Sequence, residues 1–205
     1  LYEASFDLIW IERANQLADK MISEFYDIDE GGFFMSGLSS EVLIARLKNA
    51  ADEAIPSANA IAILSILKLG HLTGNKHYLD VGARSVNAFK CRIDKNPAAH
   101  TGILAAADFM ESSITEVIFT GALESSTFED MRDALHQDYR PNKIFAWNNN
   151  SQTSELIPLL SGKFTIDGLP VAYVCEEETC HSPVRSGKAL ANLLKPPPEI
   201  RLNIF

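Results

Sequence analysis

Positive charge and long apolar stretches are both scarce in this sequence. Its 18 Lys and Arg residues are outnumbered by 27 Asp and Glu residues, which gives a formal net charge of −9. Because nucleic-acid binding needs a basic face toward the phosphates, this balance argues against a nucleic-acid partner. No apolar run reaches the roughly 18 residues that a membrane-spanning helix needs, so we expect no membrane partner either.

Cysteine is also rare. The chain has three cysteines, Cys91, Cys175 and Cys180. An odd and small number of cysteines fits a reducing compartment better than a framework of disulfides. The sequence also opens without the charged and apolar segments that make up a secretory signal. We therefore expect a cytoplasmic protein.

The sequence contains enough apolar residues for a core of normal size. Apolar residues make up 46% of the chain and charged residues 22%, values that are ordinary for a globular protein. The 205 residues allow one large domain or two small ones. Two patterns of apolar residues favour a division into a helical segment, residues 1–112, and a mixed segment, residues 113–205.

Residues 1–112 show the three- to four-residue spacing of apolar positions that predicts helices. An amphipathic helix is predicted for residues 8–26. A second helix, apolar on nearly every side, follows Pro56 and ends at Gly70. Pro56 suits a first helical turn, because its φ is fixed near the helical value. We expect the second helix to be buried on most sides.

An internal repeat links these helices. Residues 7–14 resemble residues 75–82 in type, position by position, and Leu1 then aligns with Leu69 in the last turn of the buried helix. Alternating buried and amphipathic helices are typical of a ring of helical hairpins. One copy and a partial copy cannot close a ring. We therefore expect this chain to be the C-terminal piece of a larger protein, and to self-associate when the missing hairpins are absent.

Residues 113–205 alternate short β-rich runs with helices. Strands are predicted at residues 115–121, 143–147 and 171–175, helices at residues 128–139, 154–160 and 186–194, and a Pro-rich tail after Leu194. Such alternation predicts a small three-stranded parallel sheet with right-handed crossovers. The carboxyl ends of the strands, at Gly121, Asn148 and Cys175, would then share one edge, which is where ligands of parallel sheets bind.

Four polar residues lie where a loop enters the buried helix: Asp52, Glu53, Ser57 and Asn59. Asp52 and Glu53 are candidate catalytic residues, because sugar chemistry uses a pair of carboxyl groups. Adjacent residues rarely face the same bond, however, and acids also stabilise helix N-termini, so a structural role stays open. Ser57 and Asn59 are candidate binding residues. Ser57 can instead cap the helix, and a buried Asn59 must find a hydrogen-bond partner in the protein or in a substrate.

Cys175 and Cys180 form a second candidate site, a possible thiol pair. A zinc site usually needs four ligands, and Cys91 is far along the chain, so no metal is predicted. Their four-residue spacing also differs from the two-residue spacing of the common redox motif. A pair of structural thiols is therefore favoured over a redox pair, and a disulfide between them is geometrically conceivable. No cofactor is predicted.

Four stretches carry a resemblance to a known family. They are Gly31-Gly32-Phe33-Phe34, the segment from Asp52 to Asn59, Arg140-Pro141-Asn142-Lys143, and Tyr173-Val174-Cys175 followed by Cys180. In order and spacing they resemble the YyaL-type proteins with a thioredoxin domain, which include the spermatogenesis-associated thioredoxin-like proteins of animals. The sequence departs from the family pattern at Glu53, Ala58 and Ala60, where the family has Gly, Gly and usually Ser.

The resemblance implies a longer protein with an N-terminal thioredoxin-like domain, an (α/α)6 toroid of the six-hairpin glycosidase type and a small α/β end. Residues 1–112 would be an incomplete toroid and residues 113–205 the α/β end. The family brings no settled activity. We therefore predict an uncharacterised C-terminal fragment that is non-catalytic on its own, with the missing toroid and the thioredoxin-like domain as partners. The alternative is a carbohydrate-active enzyme, a sugar epimerase or glycosidase-like protein, with a site at the toroid mouth.

Overall fold

Helices build the first half of the chain. The computed structural model describes residues 1–41, 45–149, 155–176 and 179–195. Its first helices are α1 (Tyr2–Ser5), α2 (Ile9–Phe25), α3 (Ala58–Thr73), α4 (Lys76–Ala88), α5 (Lys90–Lys95) and α6 (Thr101–Glu111), with a 3-10 turn at Pro97–Ala99. The predicted amphipathic and buried helices are thus both present, as α2 and α3.

The internal repeat is visible in the backbone. Phe6 ends α1 with φ 56° and ψ 17°, and Gly74 ends α3 with φ 65° and ψ 17°. The next helix then begins with the same side-chain contact in both copies. Asp7 Oδ1 accepts the N–H of Ile9 at 3.1 Å, and Asn75 Oδ1 accepts the N–H of His77 at 3.0 Å. The short helix α1 therefore corresponds to the last turn of α3.

Helix α3 is the centre of the helical half and packs against α4 and α6. Close approach to α4 depends on Gly82, because a Cβ at that position would lie 2.5 Å from Leu67 Cδ2. Burial is one-sided, however. Ile61 is 53% exposed, and Ala58 and Ser65 are exposed along the same face. The expectation of a helix buried on most sides therefore fails along this face and holds for the faces toward α4 and α6.

The second half combines a sheet with two helices. Its elements are β1 (Thr115–Thr120), α7 (Ser126–His136), β2 (Lys143–Asn148), a 3-10 turn (Pro158–Leu160), β3 (Ala172–Glu176), β4 (Thr179–Cys180) and α8 (Gly187–Leu193). The molecule is therefore a mixed helical and β protein, as predicted. Of the helix predicted at residues 154–160, the described residues form only the 3-10 turn at Pro158–Leu160. Residue 154 and the Pro-rich tail beyond Lys195 lie outside the described residues.

The sheet is mixed, and the prediction of a three-stranded parallel sheet is wrong. The strand order is β2-β1-β3-β4; β1 and β2 are parallel, whereas β3 is antiparallel to both β1 and β4. A parallel connection needs a crossover, usually a helix. The described residues between β2 and β3 include only the 3-10 turn, and Pro170 then packs on Gly121 at the end of β1. The chain therefore enters β3 where β1 ends, and runs back along it.

This reversal separates the residues that were predicted to share an edge. Gly121 and Asn148 lie at the carboxyl ends of the parallel strands β1 and β2. Cys175 instead pairs with Glu116, at the beginning of β1. The predicted ligand site at one common edge is therefore wrong in its inclusion of Cys175.

An aromatic cluster joins the two halves of the chain. The ring of Phe6 makes edge-to-face contacts with Phe128 and Phe145, at centroid distances of 6.0 and 6.1 Å. The same ring lies 6.0 Å from Tyr2, whose hydroxyl oxygen accepts the N–H of Trp147 at 3.4 Å. Since β2 also contacts α3, the sheet packs directly on the helical repeat.

Candidate functional site

Asp52 connects the N-termini of two helices. Its Oδ1 accepts the N–H of Ser57 at 2.8 Å, just before α3. Its Oδ2 accepts the N–H of Gly102 at 2.7 Å and the hydroxyl of Thr101 at 3.0 Å, in the first turn of α6. Burial alone would raise the pKa of Asp52, but these donors outweigh it and hold the pKa below its usual value.

The close approach of α3 and α6 at this point requires a glycine. A Cβ at Gly102 would lie 2.7 Å from the Cβ of Ala60 and 3.0 Å from Asp52 Oδ1. A side chain there would push the two helices apart and break the hydrogen bonds to the carboxylate. Gly102 is thus a part of the Asp52 arrangement that the sequence did not reveal.

Ser57 and Asn59 continue the same arrangement into α3. Ser57 is buried, and its hydroxyl oxygen caps the helix by accepting the N–H of Ala60 at 3.2 Å. Asn59 is 1% exposed. Its Oδ1 accepts the N–H of Phe33 at 2.7 Å, and its Nδ2 donates to the carbonyl oxygens of Phe33 and Asn49 at 2.9 and 2.8 Å. Asn59 therefore fastens two loops to α3.

Lys48 also binds the loop that leads to Phe33. Its Nζ lies 2.7 Å from Asp27 Oδ2 and 3.3 Å from Glu30 Oε2, and donates to the carbonyl oxygen of Gly31 at 3.0 Å. Gly31 has φ 82°, a conformation that favours glycine. The turn at Gly31 is thus fixed by a charge contact as well as by Asn59.

Glu53 differs from its neighbour Asp52. Its side chain is exposed, and within the described residues it makes no ion pair or hydrogen bond. The four predicted residues are therefore close together in the fold, but only Asp52, Ser57 and Asn59 share a hydrogen-bonded arrangement. Its contacts are those of helix capping and loop attachment. The catalytic assignment of Asp52 and Glu53 stays a prediction.

Cys175 and Cys180 form a disulfide, although a pair of structural thiols was favoured from the sequence. The two residues lie directly opposite each other in β3 and β4, with their Cα atoms 4.0 Å apart. Glu176 pairs with Thr179 next to them, so the antiparallel pairing of β3 and β4 holds the two side chains together. Cys91 is exposed and free.

Alkylation of the native protein tests this disulfide. We expect iodoacetamide to label Cys91 alone when the protein is purified without reductant, and all three cysteines after reduction and denaturation. Intact-mass spectrometry counts the labels. In the Cys91→Ser control the unreduced protein should take up no label. Labelling of Cys175 or Cys180 before reduction would contradict the disulfide.

A pocket that sequence analysis missed lies between the helical half and the sheet. We call it the cationic pocket. It has a volume of about 310 Å³ and is formed by α1, α3, α6 and the segment that leads into β2. Its charged and polar lining consists of Glu3, Lys68, Tyr139, Arg140, Asn142 and Lys143. Its apolar lining consists of Leu64, Ala105, Phe109, Pro141 and Phe145. The only sequence signal for it was the stretch from Arg140 to Lys143.

Burial changes the acid–base behaviour of this pocket. Desolvation raises the pKa of Glu3, and the nearby Lys68 opposes that rise. Desolvation also lowers the pKa of Lys143, and Glu3 opposes that change. Both shifts have the sign expected for charged groups removed from water. The pocket therefore holds charged groups in a partly dehydrated setting.

An apolar groove runs between α2 and α3. The groove contains two cavities, of about 560 and 240 Å³. Both cavities are lined by Ala14, Leu17, Ser65 and Leu69. Leu17 is 71% exposed. The larger cavity also touches Leu1 at the start of the chain. We call this feature the α2–α3 groove.

Two kinds of site were not found in the part of the chain that the structure describes. No group of three or more His, Cys, Asp or Glu side chains is placed to hold a metal ion. None of the helices there combines the length and the apolar character needed to cross a membrane.

The chain is thus a mixed helical and β protein built on a helical repeat. Comparison with known proteins shows which proteins it is similar to. The chain is similar to spermatogenesis-associated protein 20 of Homo sapiens, with 30% identity over 200 residues that cover 96% of this chain. The proteins of the same name in Rattus norvegicus and Mus musculus are 29% and 28% identical over 198 residues. No protein-family model matches the chain.

These similarities confirm the predicted resemblance to the spermatogenesis-associated proteins. They extend over nearly the whole chain, including both halves of the fold. In each relative, however, the matched region is 25% of the sequence. The chain thus spans about a quarter of the length of the curated relatives it matches.

Proposed function

We propose that this chain is the closing segment of an (α/α)6 ring of helical hairpins in a longer protein, and that it is non-catalytic on its own. The match between α1 and the last turn of α3 carries this proposal. Phe6 and Gly74 share a left-handed conformation, and the side chains of Asp7 and Asn75 each accept the N–H of the residue two positions further on. By this correspondence α1 is the end of an inner helix.

The α2–α3 groove is where the rest of that inner helix would lie. In the complete repeat, the outer helix α4 packs against two inner helices, α3 and α6. In the partial repeat, the outer helix α2 packs against α3 and only the short α1. Leu1 and Tyr2 of α1 bound the larger cavity of the groove. A helix that continues α1 toward its N-terminus would therefore cover Leu17 and Leu69.

The length of the relatives also supports a further helix of a longer protein as the occupant of the α2–α3 groove. Three quarters of each relative lies outside the matched region, which leaves ample chain for further hairpins. The proposed partners are accordingly the remaining toroid and a thioredoxin-like domain of a longer protein. Since Asp52 already accepts hydrogen bonds from Ser57, Thr101 and Gly102, we do not propose a sugar-cleaving pair for this chain.

Solution size tests the proposed ring closure. We expect the 205-residue chain, of 22.6 kDa, to elute in size-exclusion chromatography with light scattering as a species larger than a monomer, because an apolar groove without its helix favours self-association. Leu17→Glu should shift it toward the monomer, since the added charge would have to be desolvated. Leu17 is exposed, so the substitution should leave the fold intact.

Leu38→Glu is the matched control. Leu38 is 67% exposed and does not line the groove. This variant should associate as the original chain does. A monomeric chain with a high melting temperature, or equal effects of Leu17→Glu and Leu38→Glu, would contradict the proposal.

A further inference from the structure

We propose that the cationic pocket binds a small organic anion, a carboxylate or a phosphate ester with an apolar body, through Lys68, Arg140 and Lys143. The proposal does not rest on ring closure or on any catalytic activity. It starts from the charge balance of the pocket. Three cationic side chains line it, and Glu3 is the single acid among its lining residues. The chain as a whole is acidic, with a net charge of −9.

The cations of this pocket are poorly neutralised within the described residues. Neither Lys68 nor Lys143 forms an ion pair with a described acid, and Glu3 likewise forms none. Arg140 has one weak ion pair, 3.6 Å from Asp138, whose side chain is 69% exposed. Charged groups held in a partly buried place usually have partners. An anion in the pocket would supply the missing one.

The cations of the pocket also have N–H donors without an acceptor among the described residues. Lys143 Nζ donates to the carbonyl oxygen of Leu135 at 3.0 Å, which uses one of its three N–H bonds. Lys68 makes no hydrogen bond to another described residue; its ammonium lies 5.7 Å from the ring centroid of Phe109. Arg140 offers a planar fork of donors that suits carboxylate and phosphate oxygens. Glu3, the one acid of the lining, has its pKa raised by burial, and the nearby Lys68 opposes that rise.

The remaining walls select for an apolar body on the anion. Leu64, Phe109 and Phe145 face the same cavity as the cations. A volume of about 310 Å³ falls at the lower end of the range typical of small-molecule sites, which are mostly apolar with a few convergent polar groups. Inorganic phosphate would satisfy the cations but leave these apolar walls uncovered. An aromatic phosphate or carboxylate would satisfy both.

Calorimetric titration with phenyl phosphate and with benzoate tests the proposal. Both are run at constant ionic strength, with inorganic phosphate as the probe that lacks an apolar body. We expect at least one of the two aromatic anions to bind, and to bind about tenfold more tightly than inorganic phosphate, because the apolar walls would bury its ring. The tighter of the two anions identifies the phosphate or the carboxylate chemistry.

Two substitutions locate the binding. Lys68→Gln and Arg140→Gln should each weaken binding about tenfold, as expected for loss of a charge-assisted hydrogen bond. Two variants are used because Lys68 also borders the α2–α3 groove, whereas Arg140 does not. The control is Lys90→Gln, on an exposed lysine that lies outside the pocket, and it should change the dissociation constant less than twofold. The absence of binding by all three probes would overturn the proposal, as would equal effects of Lys90→Gln, Lys68→Gln and Arg140→Gln.

Discussion

Replacing Asn59 with leucine should lower the free energy of unfolding by about 3–5 kcal/mol, because two buried backbone groups and one partly buried backbone group would lose their partner and each unsatisfied buried group costs about 1–3 kcal/mol. The groups are the N–H and carbonyl oxygen of Phe33 and the carbonyl oxygen of Asn49. Leucine has the same branching and number of side-chain heavy atoms as asparagine and favours a helix, so helix propensity should not add to the loss. Urea unfolding followed by circular dichroism measures the change.

Asn87→Leu is the matched control for this prediction. Asn87 lies in α4 and is exposed, so the same substitution there removes no buried hydrogen bond. We expect its effect to stay within about 0.5 kcal/mol. If Asn59→Leu were as mild as Asn87→Leu, Asn59 would not be what fastens the two loops to α3.

Asp52→Asn should destabilise the protein at neutral pH by about 2 kcal/mol, because a single capping acid is worth about 1 kcal/mol and Asp52 serves two helices. An amide has one acceptor oxygen, whereas the carboxylate accepts from Ser57 on one oxygen and from Gly102 and Thr101 on the other. Urea unfolding at pH 7 gives the difference in free energy.

The difference in free energy of unfolding between the original protein and Asp52→Asn should depend on pH. The pKa of Asp52 is lower in the folded protein than its usual value of 3.8. The unfolded chain therefore binds this proton at a higher pH than the folded protein does. The carboxylate's contribution is fully present above pH 3.8 and is lost as the pH falls through the folded pKa. The stability gap between the original protein and Asp52→Asn should accordingly narrow below pH 4.

Glu53→Gln controls for a general effect of charge near these helices. Its side chain is exposed and makes no hydrogen bond to another described residue. We expect a change within about 0.5 kcal/mol at pH 7. A gap for Asp52→Asn that is independent of pH would show that the negative charge itself contributes nothing.

The helical half was predictable because its signals are local. The spacing of apolar residues located α2 and α3, and the likeness of residues 7–14 to residues 75–82 predicted a repeat that the backbone then displayed. Asn59 could be recognised as a buried residue in need of partners, because it is a polar side chain in an apolar helix. Its partners could not be named, since Phe33 is 26 residues away along the chain and only the tertiary fold brings it near.

The direction of β3 was not predictable from the same kind of signal. A short β-rich run looks alike in a parallel and an antiparallel strand, and alternation with predicted helices favoured the parallel arrangement. The direction is visible only in the tertiary structure, where β3 pairs antiparallel with β1 and Pro170 lies against Gly121. The cationic pocket was missed for the same reason, because Glu3, Lys68 and Lys143 are spread over most of the chain and meet only in the fold.

The aromatic cluster around Phe6 has a consequence for how the protein comes apart. Phe6 belongs to the first repeat, yet its ring packs on Phe128 in α7 and on Phe145 in β2. Melting of the sheet would expose this ring and remove the support of the turn that leads from α1 into α2. The two halves of the chain are therefore bound into one cooperative unfolding unit, and a protease cut between α6 and β1 would separate two pieces that each lose part of a shared core.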